Sequence, residues 1–155
     1  MPLAQGERAP DFTLPGSGGK TLQLGEHVGH KIVLYFYPKD DTSGCTLEAQ
    51  AFNARLADFD AADAVVIGVS PDSVKSHDKF ASKHDLAFPL ASDEGKAMLE
   101  AYGVWVEKSM YGRKYMGVER TTMLLDRDGR IAQIWPKVKV PGHAEEVLEA
   151  ARALP

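Results

Sequence analysis

Apolar residues in this chain fall into two kinds of run, and their spacing separates strands from helices. Residues 31–37 (Lys-Ile-Val-Leu-Tyr-Phe-Tyr) and 64–70 (Ala-Val-Val-Ile-Gly-Val-Ser) are almost unbroken apolar stretches. Short continuous runs of this kind mark central strands covered on both faces. Between them Ala49, Phe52, Leu56 and Phe59 recur at spacings of 3, 4 and 3, the stripe of one amphipathic helix. The stretch therefore predicts a βαβ unit with a right-handed crossover. Upstream, Phe12 and Leu14, then Leu22 and Leu24, alternate around Pro15-Gly16-Ser17-Gly18-Gly19, which predicts a hairpin. Downstream, Ser70-Pro71-Asp72 offers a cap followed by Pro at the first helical position, and Val74, His77, Phe80 and Ala81 continue one face of a second helix. Residues 87–90 read as a short strand or extended connector. Ser92-Asp93 caps a short helix carrying Met98, Leu99 and Tyr102, which Gly103 closes. Residues 121–125 and 130–135 flank Asp126-Arg-Asp-Gly129, a strand, an Asp-Gly turn and a strand. A last helix runs from about His143 with Val147, Leu148, Ala151 and Leu154 turned inward.

This order of elements implies a mixed α/β sheet with helices on both faces. A thioredoxin-like sandwich with an added N-terminal hairpin fits it best. The 155 residues make one domain, residues 1–155, with no repeat or low-complexity linker to divide them. A 44% hydrophobic and 26% charged composition with 14 Gly and 9 Pro is that of a folded, soluble domain rather than a disordered or fibrous chain. With 18 basic against 22 acidic residues, a net charge of −4, the chain lacks the basic footprint of a nucleic-acid binder. Its longest strictly apolar run, residues 32–37, falls far short of the roughly 18 residues that cross a bilayer. Residues 1–8 hold no apolar signal core. The expected address is the cytoplasm, with no membrane partner. No strongly apolar exposed stripe is evident, so a monomer is expected.

The chain has one cysteine, Cys45. A single Cys excludes an intrachain disulfide, a Cys-x-x-Cys pair and any multi-Cys zinc or iron–sulfur site. It leaves a buried small hydrophobe or a reactive thiol, and position decides between them. Cys45 lies just past a core strand, where the turn-rich loop Pro38-Lys39-Asp40-Asp41-Thr42-Ser43-Gly44 feeds the first turn of a helix. In an open α/β sheet this is the edge where ligand crevices form. Unpaired N–H groups and the positive end of the helix dipole favour an anion there, which lowers a cysteine pKa. Thr42 is placed to cap the helix and to bring its hydroxyl beside the sulfur.

Pro38-x-x-x-Thr42-x-x-Cys45 resembles the active-site signature of the peroxiredoxins, and the run from Tyr35 to Ala49 resembles their bacterioferritin comigratory protein, or peroxiredoxin Q, branch. The likeness extends over nearly the whole chain. It includes Ala9-Pro10-Asp11-Phe12, Ser70-Pro71-Asp72, Phe88-Pro89-Leu90-Ala91-Ser92-Asp93, Met110-Tyr111-Gly112, Glu119-Arg120-Thr121-Thr122 and Val138-Lys139-x-x-Gly142-His143. The resemblance implies a thiol-dependent peroxidase without a cofactor. In it Cys45 is the peroxidatic residue, Thr42 hydrogen-bonds the peroxide, Pro38 shields the pocket, and Arg120 stabilises thiolate and transition state. Fixed donors aimed at the oxyanion leaving a broken O–O bond should supply most of the acceleration. The product, a sulfenic acid, needs a second thiol before reduction restores the enzyme.

Relatives that resolve within one chain carry a second Cys five residues after the first or on the following helix. Here those places hold Gln50 and Ala81. The expectation is a one-Cys enzyme recycled by an external thiol, whether thioredoxin, glutaredoxin or glutathione, with an intersubunit Cys45–Cys45 bridge as the lesser route. Ser43 stands where the family often has Pro, which should loosen the loop slightly.

The remaining motifs read as structure. Without the family likeness Arg120 would pass for a surface cation beside Glu119, and Glu48 reads as a solvated helix residue, with a supporting contact to the active-site arginine as the lesser reading. Gly18-Gly19-Lys20-Thr21 imitates the end of a phosphate loop but lacks its earlier glycine, Leu14 standing in that place. Asp126-x-Asp128-Gly129 is turn chemistry rather than a calcium loop. His77 and His84 lie two turns apart, too far for one metal, and His27-x-x-His30 has no third ligand. The basic and aromatic stretch from Lys108 to Arg120, including Tyr111, Arg113, Lys114 and Tyr115, could attract an anionic partner, but reads more simply as a mobile loop bordering the active site. Two competing functions remain. A cysteine hydrolase needs a His base near Cys45, and a non-catalytic thioredoxin-like binding module needs a buried, unreactive Cys45.

Overall fold

The computed structural model describes residues 3–155; residues 1 and 2 of the polar start lie outside the described residues. In chain order the elements are β1 (Thr13–Pro15), β2 (Thr21–Gln23), β3 (Lys31–Phe36), α1 (Ser43–Ala54), α2 (Leu56–Ala61), β4 (Ala64–Ser70), α3 (Val74–His84), β5 (Leu90–Ser92), α4 (Ala97–Ala101), β6 (Trp105–Met110), β7 (Arg113–Val118), β8 (Thr121–Leu125), β9 (Ile131–Trp135) and α5 (His143–Ala153). Short 3-10 turns follow β1 and β2.

The apolar runs do what their composition dictates. β3 is buried at every residue and takes the middle of a five-stranded sheet in the order β5-β4-β3-β8-β9. It pairs parallel with β4, as a crossover through α1 and α2 requires, and antiparallel with β8. The β8–β9 hairpin turns on Gly129 at φ +81°. β1 and β2 form the added N-terminal hairpin, tied to the main sheet by the Gly16–Ala91 bridge. Alternate residues of β3 feed two cores. Ile32, Leu34 and Phe36 pack with Phe12, Leu22, Leu99, Tyr102 and Val118 on one face. Val33, Tyr35 and Tyr37 pack with Cys45, Phe52, Phe59, Phe80 and Val147 on the other. The helical cover is uneven. α1, α2, α3 and α5 all contribute to the second core, whereas the first is covered by α4 and the hairpin. Gly68 pairs with Tyr35, and a Cβ there would stand 2.9 Å from the Tyr35 ring, so only glycine lets that side chain lie across the strand.

Three elements depart from the sequence reading. The helix expected across Ala49 to Phe59 breaks at Arg55, whose ψ of 13° leaves the helical range and starts α2 one residue later. α3 is capped not by Ser70 but by Ser73, whose hydroxyl accepts the Ser76 N–H at 3.1 Å. The Ser70 hydroxyl is engaged with the Asp72 carboxylate instead. The stretch from Lys108 to Arg120 is no irregular loop. It is largely an antiparallel ribbon, with β6 and β7 paired from Trp105–Val118 to Met110–Arg113 around Tyr111 and Gly112, both at positive φ.

Candidate active site

The carboxyl end of β3 runs into the loop 37–42, and this loop is held by a buried polar network. The Tyr37 hydroxyl donates to Asp40 Oδ1 at 2.6 Å, and Asp40 Oδ2 takes the Ser76 hydroxyl at 2.8 Å and His77 Nδ1 at 2.7 Å. His77 Nε2 meets the Ala91 carbonyl at 3.0 Å, and the Asp40 N–H donates to Asp72 at 2.8 Å. Asp40, Asp72 and His77 offer atoms close enough to share a cation, yet the contacts just described already engage all three. A buried charged network of this completeness fixes the loop in one place. Asp41 then takes a left-handed backbone, φ 60°, and the chain turns into α1.

The helix begins at Ser43, so Cys45 is its third residue and its N–H is among those with no partner inside the helix. Thr42 stands at the cap position, but its side chain does not cap. The hydroxyl donates backwards to the Lys39 carbonyl at 2.9 Å, which pins the loop rather than the helix. The capping part of the Thr42 reading is corrected on that bond. Pro38 is half-buried beside this loop, and Ser43 is exposed at the first helical position.

Cys45 is 1% exposed. Arg120, arriving from the turn between β7 and β8, donates from one guanidinium nitrogen to Cys45 Sγ at 3.3 Å and from the other to Glu48 Oε1 at 2.6 Å. A Cβ on Gly44 would stand 3.3 Å from the same guanidinium, so the residue before the cysteine leaves room for the arginine. Arg120 is not a surface cation serving Glu119. Glu48 is not solvated either, being 1% exposed with Oε2 buried and unpartnered. The helical spacing carried that signal, since Glu48 belongs with Cys45, Ala49 and Phe52 on the inward stripe.

The electrostatics follow from burial around one cation. Desolvation pushes the Glu48 carboxyl up to about 7 against the pull of Arg120. Burial works to lower the Arg120 guanidinium, but the charges of Glu48 and Cys45 outweigh it and raise it. The Tyr35 phenol, buried with no hydrogen-bond partner, is held well above its usual range by burial first and then by Glu48 and Cys45. Among the described residues no histidine hydrogen-bonds the sulfur. His143 pairs with the Thr122 hydroxyl at 2.8 Å, and burial holds it below its usual range. An open groove of about 900 Å³ along α3, lined in part by Asp41, Lys79 and Lys83, includes neither Cys45 nor Arg120. Here size is no guide to the chemistry.

The structure thus sets a thiol under a guanidinium at a helix start, and comparison with known proteins supplies the family. The model of the AhpC/TSA family matches residues 5–134. The chain belongs to that family, in its peroxiredoxin branch named for the bacterioferritin comigratory protein. Peroxiredoxin Bcp of Xanthomonas campestris is 52% identical over 143 residues, covering 92% of this chain and 89% of its own. A putative peroxiredoxin of Coxiella burnetii is 49% identical over 148 residues, 96% and 98% of the two chains. Among solved structures, Xylella fastidiosa peroxiredoxin Q superposes with a TM-score of 0.93 at 42% identity, covering 97% of this chain and 96% of that one. Xanthomonas campestris peroxiredoxin Q gives 0.88 at 52%, covering 92% and 90%. The mixed sheet, the flanking helices and the added hairpin are those of this fold.

Proposed function

We propose that this chain reduces hydrogen peroxide and organic hydroperoxides with electrons from an external thiol, and that Cys45 is the residue oxidised. The observation that carries the reading is the 3.3 Å contact between Arg120 and the Cys45 sulfur at the start of α1. The Xanthomonas campestris bacterioferritin comigratory protein, 51% identical to this chain, has alkyl peroxide reduction activity, which supports the substrate class.

In the step we infer, the Cys45 thiolate attacks the terminal peroxide oxygen. An S–O bond forms, the O–O bond breaks, and the departing oxyanion takes a proton to leave as an alcohol or water. Arg120 and the N–H groups of the first helical turn stabilise the charge moving onto that oxygen, and the Thr42 hydroxyl joins them by turning its proton from the Lys39 carbonyl to the peroxide. Pro38 keeps water from the same space. A first external thiol condenses with the sulfenic acid and expels water, and a second releases the mixed disulfide. The sum converts one hydroperoxide and two thiols into an alcohol, water and a disulfide.

Cys45 is the one cysteine in the chain, so the resolving sulfur must come from outside. Thioredoxin, glutaredoxin or glutathione thiols fit a cytoplasmic setting, where such thiols are kept reduced. A monomer suits this route better than a Cys45–Cys45 bridge, because two sulfurs buried like this one would both have to emerge. No helix among the described residues is long and apolar enough to cross a membrane.

Burial of Cys45 is what a non-catalytic binding module would show, but such a module has no use for an arginine drawn into the core beside the sulfur. The hydrolase reading lacks its histidine base. The deciding experiment is intact mass after one equivalent of peroxide, where Cys45 should gain one oxygen and lose it to an added thiol. Cys45→Ser should abolish peroxide turnover; a variant that keeps the native rate would overturn the reading.

A further inference from the structure

Two groups that can each become an anion share one cation in this site. Arg120 gives one nitrogen to Glu48 Oε1 at 2.6 Å and the other to Cys45 Sγ at 3.3 Å. Glu48 is 1% exposed, and its second oxygen is buried without a partner. A carboxylate in that position leaves one charged oxygen unsolvated, whereas a carboxylic acid leaves a neutral one, so burial presses Glu48 to keep its proton. When Glu48 is neutral the guanidinium charge is turned on the sulfur alone. When Glu48 is ionised the same charge is divided.

We propose that Glu48 is a positioning residue that meters the positive charge Arg120 presents to Cys45: protonating its carboxyl strengthens the site's hold on the thiolate, and ionising it weakens that hold. The assignment rests on the peroxidase reading for its consequence, since the thiolate is what attacks peroxide. The other titratable groups around the pair do not supply the same switch. Tyr35, from β3, has its phenol raised far from neutrality by burial. His143, at the start of α5, feels the field of Arg120, is held below its usual range by burial, and pairs with the Thr122 hydroxyl rather than with the sulfur or Glu48. Asp40 adds its field at Tyr35 and is itself engaged by Tyr37, Ser76 and His77. Burial places the Glu48 carboxyl near 7, within the range where the change of charge matters.

The test is the rate at which iodoacetamide alkylates Cys45 in the native chain and in Glu48→Gln, followed from about pH 5 to about pH 9. Gln keeps the shape and an oxygen for Arg120 but cannot ionise. Expressed as the variant rate over the native rate, limited access to the buried sulfur cancels. The ratio should be near one at the acid end, where both chains carry a neutral group at position 48. It should rise to about threefold or more above neutrality, as an added negative charge at this range requires. It should then fall back once both thiols are fully ionised. A ratio that is flat across the range, or that departs furthest from one at the acid end, overturns the proposal, because a residue that merely tethers Arg120 acts on the thiol whatever the charge at position 48. An infrared band from a protonated carboxyl, present in the native chain at acid pH, lost on alkalinising and missing in Glu48→Gln, provides the second readout. Its absence from the native chain likewise overturns the assignment without depending on how the variant folds. No peroxide enters either measurement, so failure here is separable from failure of the peroxidase reading, which Cys45→Ser tests.

Discussion

The loop before α1 and the ribbon before β8 lead into the two partners of one contact, the Cys45 sulfur and the Arg120 guanidinium, and they are held by opposite means. Residues 37–42 are fastened from below by Tyr37, Ser76, His77 and Asp72 acting on Asp40, most of it buried. The β6–β7 ribbon is a two-stranded sheet of its own, and its outer half is solvent: Met110, Tyr111, Tyr115 and Met116 are all exposed. Yet the ribbon ends in Val118, which is buried in the first core, and the Glu119 N–H donates to the Val104 carbonyl at 2.8 Å. The order that matters for Arg120 is therefore confined to the ribbon's base. A site can be assembled from one segment immobilised along its length and another clamped only where it re-enters the core.

The largest effect that sharpens this contrast comes from the residue where the two segments meet. Arg120→Ala should lower the rate of Cys45 oxidation by peroxide about a hundredfold or more, the usual cost of removing a preorganised donor from a developing oxyanion. Arg120→Lys should recover little of it, because a point charge cannot serve Glu48 and Cys45 together as the two-pronged guanidinium does. Stopped-flow measurement of single-turnover oxidation checks both. A lysine variant at the native rate would mean that charge alone, not the bridging geometry, is what the ribbon's base delivers.

An effect of intermediate size separates burial from function on the loop side. The folded Glu48 carboxyl lies near 7 against an ordinary 4.5. A raised acid binds its proton more tightly in the folded than in the unfolded chain. Its contribution is harmless below about pH 4.5 and grows as a penalty while pH rises to about 7, where it levels off. The shift corresponds to roughly 3 kcal/mol at most. Urea midpoints should therefore fall less between about pH 5 and about pH 8 in Glu48→Gln than in the native chain, and parallel curves would show that Glu48 is ionised without penalty.

What the sequence revealed follows the same division. β3, β4 and α5 were legible because burial on both faces, or on one helical stripe, writes its own period into the residues. Cys45 was legible from its place between a core strand and a helix start, Arg120 through family likeness, and the 3.3 Å contact then joined residues 75 positions apart that no spacing could connect. Glu48 was misread because a charged residue on a helix is ordinarily solvated, although its place three residues after Cys45 put it on the inward face. Thr42 was misread as a cap because the Lys39 carbonyl competes for its hydroxyl. The ribbon escaped because both of its faces are largely exposed. Between Val106 and Gly117 the two strands bury no side chain fully, so nothing enforces alternation there, and strand pairing is a matter of backbone bonds and turn geometry.

The smallest expected effect tests how little the ribbon's far end matters. Tyr111 is 98% exposed and sits at φ 50°, followed by Gly112 at φ 77°. Two successive residues at positive φ make the tight hairpin turn that favours Asn-Gly, because a bulky ring gains nothing there and a short polar side chain tolerates the conformation. Tyr111→Asn should therefore stabilise the chain slightly, by no more than about 0.5 kcal/mol, and leave single-turnover oxidation of Cys45 unchanged, since the tip lies a full strand away from Arg120. Thermal unfolding and the same stopped-flow assay read the two halves of that expectation. A variant that keeps its stability but loses a substantial part of its peroxide rate would mean that the exposed tip touches substrate or transmits its conformation to Arg120, and the division between a rigid base and a dispensable end would have to be abandoned.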